Sequence, residues 1–220
     1  SEADGDAVRI LRSLHAQLKL QSSSSERTPP ASDPDEKSGS EIPRLLTPEE
    51  VNLIRVYEID MADPPRLSVP RNVIKELILR HGASGLIPDT EVEQAALYNA
   101  ESIDIVKIMF RLRSRDLYDR IKVISEPSSL KLFRERVHDT WLNNNCSTNR
   151  CHGGSESGRL RLRRDPLTSE RCCYTNLLVL DRFRTREGMP LIDWERPAQS
   201  LLLQYGLPRS ETMTPHPDVP

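Results

Sequence analysis

A chain of 220 residues with 36% hydrophobic residues and 17 prolines can bury one modest core, and the rest must run as irregular or linker segments. Its 31 Lys and Arg against 33 Asp and Glu give a formal charge of −2, which provides no overall basic character for nucleic acid or an anionic membrane surface. No apolar run reaches the length of a membrane-spanning helix. A start at Ser1 without methionine reads as a piece of a longer protein, so a missing leader does not argue for the cytoplasm.

Val8, Leu11, Leu14 and Leu18 recur on one helical stripe and predict an amphipathic helix within residues 1–20, with His15 on its solvated flank. Serines, prolines and charges from Gln21 onward, including Thr28-Pro29-Pro30, predict a disordered linker over 21–43. A helical subdomain is expected over 44–126. It opens at Thr47-Pro48-Glu49-Glu50, a capping box with proline in the first turn, ahead of Val51 and Ile54. Asp63-Pro64-Pro65 breaks that helix. Val73, Ile74, Leu77 and Ile78 mark a second, stopped by Gly82; a short third follows Asp89; a fourth runs from a cap at Ser102 through Ile105, Ile108, Met109 and Leu112. Met109 and Phe110 read as core. Leu117–Ile124 fits either a strand or a helix end.

The remaining subdomain, 127–220, begins with a helix through Leu130, Phe133, Val137 and Trp141 that leads into Asn145-Cys146-Ser147-Thr148-Asn149-Arg150-Cys151-His152-Gly153-Gly154. A C-x-x-C-H run is the sign of c-type haem attachment, with two thiols for one porphyrin and the next imidazole for its iron; here the spacing is C-x4-C-H. On a helix, thiols three residues apart diverge by roughly 60° and thiols five apart by about 140°, so Ser147–Arg150 is expected to bulge as a loop. Gly153 and Gly154 would let the backbone turn sharply beneath a flat ligand. The same residues also suit a Cys146–Cys151 disulfide, a zinc site of Cys146, Cys151 and His152, or unlinked thiols, and the spacing leaves these open.

Farther on, Arg159-Leu160-Arg161-Leu162-Arg163 alternates strictly, which predicts a short strand with arginines on one face, able to pair with carboxylates of a cofactor or with water. Cys172-Cys173 are vicinal, a geometry that disfavours a bond between the two. Leu177–Leu180 reads as a buried run, and Pro197–Gly206 as a short helix with proline at its start and glycine at its stop. No serine elbow, H-E-x-x-H or phosphate-binding loop supports a hydrolase.

Cys151-His152-Gly153-Gly154, Gly158–Leu162 and Pro197-Ala198-Gln199-Ser200-Leu201-Leu202 together resemble the exported cytochrome c-like domains of planctomycete bacteria. The runs Cys146–Gly154, Tyr174–Asn176 and Ser200–Pro208 are similar to an uncharacterised family of this kind with a C-x4-C-H-G-G site. The likeness spans about residues 44–220. It implies a mainly α, helical cytochrome c-like domain with a short β element at 159–163, a periplasmic or exported location and a redox partner protein. It further implies haem c held by Cys146 and Cys151, with His152 as proximal iron ligand and Arg159 and Arg161 near the cofactor's carboxylates. The sixth ligand would come from the segment after the Pro197 helix, His216 or Met213, with His138 on the approach helix as a third candidate. The alternative of another class is a non-redox envelope domain with a Cys146–Cys151 disulfide.

Overall fold

A computed structural model describes residues 42–155 and 157–217. The helix expected within 1–20 and nearly all of the linker expected over 21–43 lie outside the described residues. The chain forms two compact units: Thr47–Phe133, and the residues up to Leu46 together with those from Arg134 onward. Both are mainly helical.

In the first unit, α1 (Pro48–Tyr57) starts as its sequence predicts. The Thr47 hydroxyl accepts from the Glu50 N–H at 3.3 Å while the Thr47 N–H donates to the Glu50 carboxylate at 2.8 Å, which satisfies two donors that the first turn leaves open. α2 (Arg71–His81), α3 (Glu91–Leu97) and α4 (Ser102–Leu112) follow. A two-stranded antiparallel ribbon, β1 (Leu67–Ser68) and β2 (Lys122–Val123), pairs Leu67 with Val123. Val56, Val73, Leu77, Ile105, Val106, Met109 and Ile121 are fully buried and make this unit's core. Phe110 stacks at 4.8 Å on Tyr118. Asn52 on α1 clamps β2: its amide donates to the Ile121 carbonyl at 2.7 Å and accepts from the Val123 N–H at 3.0 Å.

Three local expectations shift here. Gly82 is right-handed, φ −54°, and opens a 3-10 turn, Gly82–Ser84; the left-handed stop is Gly85 at φ 70°. Ser102 is the first helical residue rather than the cap, and its hydroxyl takes the Val69 N–H at 3.4 Å instead. Leu117–Ile124 resolves into the end of a 3-10 turn, Arg115–Arg120, followed by β2.

After α5 (Ser128–Leu132) the chain winds as a π-helix, Phe133–Cys146, not the α-helix its apolar spacing suggests. Hydrogen bonds then run from i+5 to i, as from the Ser147 N–H to the Leu142 carbonyl at 2.8 Å, and side chains five apart share a face. That register puts buried His138 and Asn143 side by side. α6 (Glu170–Arg182), capped by the Ser169 hydroxyl, buries Cys172 to Asn176 without a break, so it is enclosed on every side at its start. In the run expected to be buried, Leu177 to Leu180, only Leu180 is fully so. The Pro197–Gly206 segment is a 3-10 turn, Pro197–Gln199, and then α7 (Leu201–Gln204). A Cβ on Gly206 would stand 2.6 Å from the Trp141 ring, a close approach that only glycine allows.

Residues 159–163 do not form a strand. The groups a neighbouring strand would take are taken otherwise. The Asn176 amide accepts from the Arg163 N–H at 2.8 Å and donates to the Arg163 carbonyl at 3.0 Å, and the Leu162 N–H donates to the His152 carbonyl at 2.7 Å. Among the described residues no helix is long and apolar enough to cross a membrane.

Candidate functional site

The π-helix ends at Cys146, and the next eight residues fold into a tight knot. The His152 N–H donates to the Cys146 carbonyl at 2.9 Å, while Cys151 and Gly153 both donate to the Thr148 carbonyl at 3.0 Å. Ser147 turns inward, fully buried, with its hydroxyl near the Asn143 carbonyl at 3.3 Å. Ser147–Arg150 is thus a loop, as the thiol spacing demands. Gly153 and Gly154 serve that loop's own backbone: a Cβ would meet the Ser147 carbonyl oxygen at 2.0 Å and the Asn149 carbonyl oxygen at 1.9 Å. The close approach is to the chain itself, whatever else lies over it.

Cys146 and Cys151 are half-buried free thiols. Burial, and then the neighbouring Cys151, push the Cys146 thiol up to about 11, so it stays protonated at neutral pH. Cys172 and Cys173 are buried and free. Burial holds Cys172 at about 11 as well.

His152 is half-buried, and its Nδ1 lies 3.1 Å from the Leu160 carbonyl oxygen. A carbonyl only accepts, so the proton is on Nδ1 and the neutral ring presents a lone pair at Nε2. Burial lowers its pKa, with nearby His216 acting the same way, against the Leu160 and Ser157 carbonyls, which raise it. The ring of His216, 64 residues later, faces it with centroids 5.9 Å apart and planes at 52°. His216 Nδ1 is 2.7 Å from the Pro217 carbonyl oxygen, so its Nε2 too carries a lone pair when neutral. Tyr205 packs edge-on against His216 at 5.1 Å and steadies it from the other side.

Of the other expected residues, Arg161 reaches the Cys146–Gly154 knot, donating to the Gly154 carbonyl at 3.4 Å. Arg159 instead holds its guanidinium 5.8 Å over the Phe183 ring. Met213 is 94% exposed, held only through its backbone N–H to the Gln204 side-chain oxygen at 3.2 Å. His138 is wholly buried; its Nδ1 lies 2.7 Å from the Asp139 carboxylate and its Nε2 3.2 Å from the Asn176 amide nitrogen. Both ring nitrogens are used inside the core. The structure therefore brings His152 and His216 together beside the cysteines and Arg161. Among the described residues, no three His, Cys, Asp or Glu side chains converge on one point as a compact metal site requires.

Sequence reasoning passed over Tyr205 and Asn176. The second had a signal: an asparagine in mid-helix among buried residues must have partners. No protein-family model, no curated protein and no solved structure matches this chain.

Proposed function

We propose that the chain is a c-type cytochrome-like electron-transfer module, in which Cys146 and Cys151 would hold haem c as thioethers and His152, the proximal ligand, and His216 would ligate its iron. The observation that carries this reading is the pair of imidazoles 5.9 Å apart, each with Nδ1 turned to a backbone carbonyl. Bound haem would supply a one-electron iron centre. The chain's own part is to aim the two rings and to keep His152 neutral at physiological pH by burial. Donation from Nδ1 to the Leu160 carbonyl also raises the basicity of Nε2.

The thiols fit attachment better than a zinc centre. A structural zinc site needs four convergent ligands, whereas two thioethers need only reach the edge of one ring. A protonated Cys146 is also a slow partner in disulfide exchange, which proceeds through thiolate. Arg161 donates to the Gly154 carbonyl on the knot, while Arg159 is occupied by Phe183. An exported location and a redox partner protein belong to the same reading.

Production with c-type maturation machinery tests it. Haem should survive a denaturing gel and give a pyridine haemochrome of thioether type, and Cys146→Ser with Cys151→Ser should lose the covalent haem. No haem on the wild-type chain, with a two-proton mass gain on reduction, would instead establish the Cys146–Cys151 disulfide.

A further inference from the structure

His152 is oriented by the Leu160 carbonyl, and Leu160 lies in a segment that forms no strand. One buried side chain stands at the centre of its support. Asn176 is fully buried and binds both backbone polar groups of Arg163, while the Leu162 N–H returns to the His152 carbonyl. The Asn176 amide has a further donor contact, to His138 Nε2 at 3.2 Å. That nitrogen can accept because Asp139, at 2.7 Å from Nδ1, holds the proton on the other side of the ring. Hydrogen bonds thus run from Asp139 through His138 on the π-helix and Asn176 on α6 to Arg163, and three residues of backbone lead from there to the Leu160 carbonyl that holds the ring of His152.

We infer that Asn176, oriented by His138, is the positioning residue for His152: by clamping Arg163 it fixes the Leu160 carbonyl that sets the imidazole's tautomer and aim. This explains why an amide occupies a buried position in α6, and why a π register, which brings His138 inward beside Asn143, leads up to the cysteines. Neither Asn176 nor His138 needs to touch the ligand. The inference rests on the proposed haem reading only for its effect at iron.

The test is heteronuclear NMR of the imidazole nitrogens in the full chain, with and without haem. In the haem-free wild type His152 should be a single tautomer protonated at Nδ1. Asn176→Ala should release it to a mixture with Nε2–H while His216, held by Pro217, stays unchanged. Asn176→Asp, which keeps the acceptor for Arg163 and removes both donors, should shift it in the same direction by less. A His152 tautomer unmoved in either folded variant overturns the inference. Should neither variant fold, the wild type decides: the His152 ring proton and the Leu162 and Arg163 amide protons should exchange at a common rate, and a ring proton exchanging faster by about tenfold or more overturns it. With haem bound, Asn176→Ala should weaken the His152–iron bond by about tenfold or more and raise the reduction potential. A chain that takes no haem but shows the tautomer change refutes the haem reading alone.

Discussion

A single methyl group at Gly153 would have to occupy space 2.0 Å from the Ser147 carbonyl oxygen, backbone that cannot swing aside. Gly153→Ala should therefore cost about 3 kcal/mol in the Arg134–Pro217 region, read by chemical denaturation on the fluorescence of Trp141 and Trp194. Gly82→Ala is the matched control. It has φ −54° and nothing within 4 Å of a Cβ, so it should change stability by no more than about 0.5 kcal/mol, with a gain expected from reduced unfolded-chain entropy. The thiols make a pH prediction. Cys146 and Cys172 keep their protons in the folded chain up to about 11, whereas an unfolded thiol releases its proton near 9.0. The folded state then holds more protons than the unfolded one, so this contribution is whole below pH 9.0 and is lost as pH rises towards about 11. Alkylation of both should accordingly be slow at pH 8 and accelerate in that window; rapid labelling of the haem-free chain at pH 8 would contradict their burial.

At the scale of elements, α1 owes its start to the reciprocal Thr47–Glu50 bonds. Thr47→Ala should cost about 1 kcal/mol in a urea titration followed by circular dichroism, and Thr47→Ser should restore most of it. This helix was legible because its cap is local: both partners stand within four residues. The Ile105–Met109 stripe of α4 was legible for the same reason, since period alone names its buried face. The π-helix was not. Leu130, Phe133, Val137 and Trp141 fit an α period, whereas the wider turn brings together side chains five apart, His138 with Asn143, and His138 has its further partner, Asn176, on α6. The alternation of residues 159–163 pointed to a strand that does not form; the Arg163 backbone pairs with the Asn176 amide, and no pattern within five residues can show whether such groups are closed by a strand or by a side chain.

In the molecule as a whole, the Cys146–Gly154 knot stood out in sequence because thiols, imidazole and glycines are adjacent there. The site's other half did not. His216 meets His152 across 64 residues, carried by the Ser200–Tyr205 segment and by Gly206, which lies against Trp141 where a larger residue would not fit. Sequence order offered Met213 equally, while Pro215 and Pro217 on either side of His216 favoured the histidine; exposure points the same way, since a side chain 94% in water has no fixed aim, while His216 is held by Pro217 and Tyr205. The pairing of these two rings is the centre of the functional account. Its most direct test is the low-temperature electron paramagnetic resonance spectrum of the oxidised, haem-loaded chain alongside His216→Ala and Met213→Ala. The account predicts low-spin bis-imidazole iron in the wild type and in Met213→Ala, and conversion to high spin in His216→Ala. A low-spin signal that survives His216→Ala and disappears in Met213→Ala would contradict it.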